Sequence, residues 1–372
     1  MRHNMSGIST KDVMSYLDPK MRGQNLTGAE GDRPLRVSII IVNYRGADDT
    51  IECLESLLRS SWRDFEIVIV DNASGDGSIE RLTSWIGGRD SRSIFTESTS
   101  GCSNQSSVSA PSIRVSLIET ETNLGFSGGN NTGILQALQR KVDWILLLNN
   151  DTVTEPDTLV NLLKGAEDSG ADLAGCPIWE YGRAHMPWCG GGRFGWWADR
   201  YDSTVPATYS GGTSAFETDW ITGCCLLVRR HVFEQIGLLD DNLFLYCEDA
   251  DFSRRAAYAG FKRVIVTGAK IYHKGGRSAG FGSPLARYHS TRSRIYCHLK
   301  HHSLLSSLAF LAVFTFSRIF RTMEWLIGGR PDLAAATWCG LCDGLLVKGK
   351  STFSGVALDV GKSRRCTPNN KT

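Results

Sequence analysis

Short, unbroken runs of β-branched and aliphatic residues, each followed by a stretch with helical spacing, dominate the first half of this chain. Residues 37–42 read Val-Ser-Ile-Ile-Ile-Val and residues 66–70 read Glu-Ile-Val-Ile-Val. A strand that is apolar on both faces must be covered on both, the condition met by a parallel sheet between helices. Between these runs Ile51, Leu54, Leu57 and Leu58 recur at helical spacing within 49–60, so a crossover helix is expected there. A second helix is predicted over 76–86 and strands over 114–118 and 144–148. A Gly-rich turn at 123–133 leads into a helix ending near 140. Four strands with helical crossovers predict a doubly wound α/β layer.

The pattern continues less regularly. A helix is predicted from Pro156, since proline suits a first helical turn, and a strand over 171–176. The Gly-, Trp- and Tyr-rich stretch 179–218 reads as loops shaping a pocket. Strands are then expected over 220–228, 263–266 and 270–272, and helices over 229–236 and 248–259. The chain of 372 residues therefore divides into a polar tail (1–35), a main domain (36–300) and a helical C-terminal extension (301–372). Residues 87–112 carry nine serines and few apolar groups, which predicts a flexible insertion.

Composition excludes several classes of function. Lys and Arg number 41 against 39 Asp and Glu, a net charge of +2. No overall field attracts a polyanion, so nucleic acid is not an expected partner. The 11 cysteines are odd in number and scattered, and 1–31 lacks the apolar core of a signal peptide, so a reducing, cytoplasmic setting is expected. Trp338-Cys339-Gly340-Leu341-Cys342 has redox spacing, but it follows helical, Ala-rich sequence instead of a strand, and reads as two cysteines on one helix. Residues 303–316 are almost wholly apolar or small, yet Arg318 closes the run short of the roughly 20 residues that span a bilayer. With Arg287, Arg292, Arg294, Lys300, Arg321 and Trp325 around it, the run reads as an interfacial helix on an anionic membrane surface, or as a core or dimer helix with basic flanks.

Ligands of open parallel sheets sit beyond the carboxyl ends of the strands, and two predicted strands end in acids there. One is followed by Asp71, the other by Asn149-Asn150-Asp151. Either alone is ordinary turn chemistry. The first strand runs into Asn43-Tyr44-Arg45-Gly46, and no Gly-x-Gly-x-x-Gly or P-loop follows any strand, which argues against dinucleotide and P-loop enzymes. The segment 125–133 lets backbone approach a ligand, with a helix N-terminus beyond it for phosphate. Glu248, Asp249 and Asp251 head a helix; Asp251 is expected to pair with Arg254 or Arg255 at helical spacing.

Taken in order, Asn43-Tyr44, Val70-Asp71-Asn72-Ala73-Ser74, the run from Asn123 through Gly125 and Phe126 to Asn131, Leu147-Leu148-Asn149-Asn150-Asp151, the run from Trp220 through Gly223 to Arg230, Glu248-Asp249-Ala250-Asp251-Phe252 and His273-Lys274-Gly275-Gly276-Arg277-Ser278 resemble the family 2 glycosyltransferases. Within them the set is most similar to the bacterial rhamnosyltransferase branch, over about 36–300. The resemblance implies a GT-A fold with a mixed, mostly parallel, Rossmann-like sheet and a C-terminal helical extension at a membrane interface. It implies inverting transfer of a sugar, L-rhamnose from dTDP-L-rhamnose, to a lipid-linked or polysaccharide acceptor in cell-surface glycan synthesis, at the inner face of the cell membrane. A hexosyltransferase using a UDP-sugar is the alternative within the family. A sugar-nucleotide nucleotidyltransferase or a non-catalytic saccharide-binding scaffold are the alternatives outside it; the former usually carries a Gly-rich basic loop after its first strand, which 43–46 lacks.

Roles carried over by the resemblance are these. Asp249 is the general base, and Glu248 assists it or positions the acceptor. Asn43, Asp71, Asn72, Gly125, Asn131, Asn150 and Asp151 bind the nucleoside diphosphate sugar, with Asp71 on the base. Trp220, Gly223 and Arg277 shape the acceptor side. Asp151, with His273, holds a divalent metal, Mg2+ or Mn2+, on the diphosphate; for His273 a structural role is the alternative. Asn149-Asn150-Asp151 keeps one acid of the family's DxD element, and Phe126 stands where some relatives carry a basic residue.

Overall fold

The computed structural model describes residues 35–89, 94–96, 113–195, 200–201, 214–275 and 282–346. In chain order the first elements are β1 (Val37–Asn43), α1 (Ala47–Leu58), β2 (Phe65–Asp71), α2 (Ser78–Gly87), β3 (Ile94–Thr96), β4 (Ile113–Glu119), α3 (Gly125–Gln139) and β5 (Trp144–Leu148). Then come β6 (Thr152–Thr154), α4 (Thr158–Asp168), β7 (Leu173–Gly175), β8 (Ile178–Glu180), β9 (Arg183–Cys189), β10 (Gly192–Arg193), β11 (Arg200–Tyr201) and β12 (Ala215–Glu217). The remainder is β13 (Cys225–Arg229), α5 (Arg230–Ile236), α6 (Glu248–Tyr258), β14 (Arg263–Val266), β15 (Ile271–His273), α7 (Pro284–His301), α8 (Leu304–Ile327) and α9 (Pro331–Leu346).

Nine strands form one sheet in the order β12-β14-β7-β13-β5-β1-β2-β4-β3. From β3 to β5 every neighbouring pair is parallel. Strand β13 then runs antiparallel to both β5 and β7, β14 is parallel to β7, and β12 is antiparallel to β14. The sheet is thus mixed and mostly parallel. Successive residues of one strand serve opposite layers: Ile39 and Ile41 of β1 pack with Leu54, Leu57, Leu82 and Leu162, whereas Ile40 packs with Ile134, Ala137, Phe233 and Phe252. This period of two explains why residues 39–42 are all apolar. A second sheet, β6-β15-β8-β9, and the two-stranded β10-β11 are built mostly from the irregular stretch.

Several expectations change. The Gly-rich segment is not a turn but the first half of α3, and its glycines serve packing. A Cβ on Gly133 would stand 2.4 Å from Ile40 Cγ2, and one on Gly129 2.8 Å from Val42 Cγ1, so only hydrogen at these positions lets the helix settle on β1. Residues 220–224 form a turn ahead of β13, not the start of a strand. Of the Ser-rich segment, Ile94–Thr96 forms the edge strand β3; positions 90–93 and 97–112 lie outside the described residues, as do 1–34 and 347–372. Helix α8 does not stop near Arg318 but continues to Ile327, and its 24 residues are long and apolar enough to cross a membrane by length and composition. Cys339 and Cys342 both lie on α9, exposed.

The chain forms two compact units, residues 1–240 with 248–278, and residues 241–247 with 279–372. In the second unit α7 holds the segment 241–247: Arg292 Nη1 donates to Asn242 O at 2.6 Å, Ser293 Oγ donates to Leu245 O at 2.8 Å, and His289 stacks on Phe244. Arg292 is 2% exposed. It is a structural clamp, not part of the basic surface around the apolar run that its place in the sequence suggested.

Candidate active site

The order of strands reverses at β1, whose neighbours are β2 on one side and β5 on the other. A doubly wound sheet opens a crevice beyond the carboxyl ends of the strands at such a point. Asn43 and Asp71 end β1 and β2 as register partners. Asn43 Nδ2 donates to Asp71 Oδ1 at 2.6 Å, and Thr50 Oγ1 donates to Asn43 Oδ1 at 2.8 Å. Asn150 Nδ2 in turn donates to Thr50 Oγ1 at 3.0 Å. One chain of hydrogen bonds therefore ties the end of β2 to the segment after β5. Thr50, a single threonine in the first turn of α1, gave no sign in the sequence of being the bridge.

Asp71 is turned inward. Its Oδ1 also accepts from Ser74 Oγ at 2.7 Å and its Oδ2 from Ser74 N at 3.1 Å, an Asx turn that fixes 71–74. Asn72 Oδ1 accepts from Leu124 N at 2.9 Å, and Asn123 Oδ1 accepts from Gly125 N at 2.9 Å. The amides of Leu124 and Gly125, the first two at the start of α3, are thus engaged from within. Asn131 Nδ2 donates to Leu239 O at 2.9 Å and its Oδ1 accepts from Leu239 N at 3.0 Å. It fastens α3 to the segment after α5, a pairing across 108 residues that no local pattern reveals.

Beyond β5, Asp151 is brought to His273 by the pairing of β15 with β6, in which His273 faces Thr152. His273 Nε2 lies 3.0 Å from Asp151 Oδ1 and 3.3 Å from Asn149 Nδ2. Both side chains are largely buried, Lys274 N donates to Asp151 O, and Lys274 Nζ is paired with Asp49 and Glu52. Burial works against the charge on Lys274, but these two carboxylates outweigh it and raise its pKa. Among the described residues no three His, Cys, Asp or Glu gather as a metal cluster. A carboxylate beside an imidazole fits a hard divalent cation whose other ligands are phosphate oxygens and water, and does not fit a closed protein cage.

The third group is Asp249, in the first turn of α6. Gly223 N donates to Asp249 Oδ2 at 2.9 Å and Ala250 N to Oδ1 at 2.7 Å, with the Thr222 hydroxyl a further donor. Burial raises its pKa to about 6 despite these donors. Burial, with Asp249 beside it, lifts Glu248 well above the usual carboxylate range, and among the described residues Glu248 Oε2 has no hydrogen-bond partner. Three donors keep negative charge on Asp249, so the proton of the pair resides on Glu248. Tyr246 and Cys247 enter the helix with φ of 69° and 68°, a costly backbone for residues with a Cβ. A Cβ on Gly223 would meet Phe126 Cε1 at 3.0 Å and Asp249 Cβ at 3.6 Å, so Phe126, Gly223 and Asp249 meet at one point. The next residue, Cys224, gives its carbonyl to Asn149 N at 3.1 Å, linking this point to the Asp151 segment.

The remaining candidates fall elsewhere. Trp220 is 4% exposed and lies flat on Gly192, where a Cβ would sit 1.4 Å from its Nε1. Asp251 is buried and paired to Arg255 Nε at 2.9 Å, as its helical spacing predicted. Arg277 lies outside the described residues. Thr222 and Ser74, to which the sequence assigned no role, are the added partners of the two aspartates.

Fold and site define an α/β enzyme with buried acids beyond the ends of its strands, and comparison with known proteins gives its class. The chain matches the family described as glycosyl transferase family 2 over residues 38–237 and glycosyl transferase family group 2 over 144–341. It belongs to glycosyl transferase family 2, and it is a glycosyltransferase with the GT-A fold. Among curated relatives, an N-acetylglucosaminyl-diphospho-decaprenol L-rhamnosyltransferase of Mycobacterium tuberculosis is 26% identical over 68% of this chain and 81% of its own. The dTDP-rhamnosyl transferase RfbF of Shigella flexneri is 23% identical over 51% of this chain and 64% of its own. Among solved structures, the mannosyltransferase PcManGT of Pyrobaculum calidifontis with GDP-Man and Mn2+ superposes with a TM-score of 0.50 at 16% identity, covering 86% of this chain and 89% of that one. GalNAc-T7 with UDP, GalNAc and Mn2+ gives 0.51 at 16%, covering 70% and 48%.

Proposed function

We propose that this glycosyltransferase moves L-rhamnose, with inversion, from dTDP-L-rhamnose to a hydroxyl of a lipid-linked or polysaccharide acceptor. The rhamnosyltransferase relatives support the donor, and the decaprenol-linked substrate named for one of them supports the acceptor. The observation that carries the chemistry is Asp249: a buried carboxylate held by three donors, with a pKa raised to about 6. Such a group is ionised at neutral pH and basic enough to accept the proton of an attacking hydroxyl. The hydroxyl oxygen bonds to the anomeric carbon, the carbon–oxygen bond to the diphosphate breaks, and the proton passes to Asp249. Glu248, protonated, offers a hydrogen bond to the acceptor.

Asp151 and His273 are the residues that would hold a Mg2+ or Mn2+ ion, which neutralises charge on a leaving diphosphate. Asn43, Asp71, Asn72 and Asn150 shape the donor side through the turn they stabilise, and Gly223 leaves room for the acceptor against Phe126. A cytoplasmic enzyme at the inner face of the cell membrane is the setting that a lipid-linked acceptor requires.

The test is release of nucleoside diphosphate from dTDP-rhamnose, UDP-glucose, UDP-galactose, UDP-GlcNAc and GDP-mannose, with and without Mg2+ or Mn2+. Preference for dTDP-rhamnose is expected. Preference for a UDP-sugar replaces the donor, and no release from any donor removes the reading.

A further inference from the structure

One exposed stripe of α8 carries no charge. Leu305, Leu308, Phe316, Phe320, Met323 and Ile327 are each more than half exposed, and at helical spacing they fall on one stripe. Ser307, Phe310 and Phe314 form the opposite, buried face, where Phe310 and Phe314 pack with Ile295 and Leu341. The charged residues Arg318, Arg321 and Glu324 fall outside the stripe. At ~1.5 Å per residue the stripe is ~35 Å long. Soluble monomers rarely leave contiguous apolar patches beyond a few hundred Å2 in water.

On the other side of α8, toward α7, stands uncompensated positive charge. Arg287 and Arg294, two turns apart on α7, and Arg318 on α8 are close enough for the first two to depress the pKa of the third, after burial itself. Arg294 and Arg318 lie over the same Phe314 ring, at 5.6 Å and 4.8 Å, and Arg287 over Trp325 at 5.0 Å. Among the described residues none of the three has an acidic partner, and Arg287 Nε is buried without any partner. The acids of these helices are engaged elsewhere: Glu324 with Arg321, Asp332 with Arg330, and Asp343 with the Tyr288 hydroxyl. Guanidiniums gathered without carboxylates are suited to a phosphate group.

We propose that α7 and α8 form a bilayer-docking surface, in which the outward stripe of α8 enters the acyl region of one leaflet and Arg287, Arg294 and Arg318 hold the phosphate of an anionic lipid headgroup. A second copy of the chain would bring the same three arginines and leave them uncompensated, so charge favours the anionic surface. The helix lies in the membrane plane and does not span it, because spanning would bury Arg318, Arg321 and Glu324 and would separate α8 from α9, to which Thr322 is joined by the Trp338 indole at 3.0 Å. This inference is independent of the sugar and of the acceptor.

Co-sedimentation of the full chain with vesicles tests it. Vesicles containing phosphatidylglycerol should bind the protein at low salt and release it at high salt, whereas phosphatidylcholine vesicles should bind weakly. Arg294→Gln and Arg318→Gln should each weaken binding about five-fold, and Phe316→Ser with Phe320→Ser should abolish it. Helical circular dichroism and diphosphate release in solution should stay unchanged in all of these. Equal binding to both kinds of vesicle overturns the phosphate site. Failure to bind vesicles, together with a dimer in sedimentation equilibrium that Phe316→Ser dissolves, makes a second copy the occupant. Failure to bind, together with inorganic phosphate raising the melting temperature of the native chain but not of the arginine variants, makes the ligand free phosphate.

Discussion

Asp71 and Asp249 are two buried carboxylates of the same compact unit, and they are treated in opposite ways. Asp71 follows a strand, is 1% exposed, and gives its oxygens to Asn43 and Ser74 in a turn. Asp249 opens a helix, is 7% exposed, and stands beside a second buried acid, Glu248, whose Oε2 has no hydrogen-bond partner among the described residues. The first arrangement lowers the energy of the fold; the second raises it. Buried carboxylates that the fold would be more stable without are where proton chemistry is expected, and satisfied ones are where architecture is expected.

Substitutions should separate the two carboxylates. Asp249→Asn should lower kcat by about 10²–10⁴-fold while leaving the melting temperature unchanged or higher; a fall of both together would make Asp249 a second structural residue. His273→Ala, which removes the neighbour of Asp151, should raise the Mg2+ or Mn2+ concentration needed for half-maximal diphosphate release by about 10–100-fold. An unchanged requirement would return His273 to a purely structural role. Asp71→Ala should behave in reverse to Asp249→Asn, costing about 1–3 kcal/mol in denaturant unfolding, because Asn43 and Ser74 are left as buried donors without an acceptor. Stability should also depend on pH. With its pKa raised in the folded state, Asp249 holds a proton there that the unfolded chain has lost, so stability should decline as pH rises from the ordinary aspartate range through about 6. Asp249→Asn should flatten that decline.

The same contrast explains what the sequence disclosed. Runs such as 37–42 and 66–70 were legible because burial on both faces demands apolar residues at nearly every position; Ser38 and Glu66 are the exceptions. The acids at strand ends and at the head of α6 were legible because the chemistry needs those residue types. What stayed hidden was the long-range partner: Thr50 between Asn43 and Asn150, Leu239 opposite Asn131, and Gly223 beneath Asp249 are joined only by tertiary folding. The glycines of 125–133 were misread for a related reason. A glycine that admits a ligand and one that admits Ile40 look alike until the strand beneath is in place. Helix α8 was underestimated because Arg318 breaks the apolar run in sequence but falls outside the outward stripe on the helix.

The most direct measurement of the central claim is the pH dependence of kcat/KM for nucleoside diphosphate release, in the native chain and in Asp249→Asn. A carboxylate base with a pKa near 6 predicts a rate that falls as the medium becomes more acidic than that value and a level plateau above it, with the acidic limb missing from the residual activity of the variant. A flat native profile, or a limb that survives in Asp249→Asn, would contradict the account.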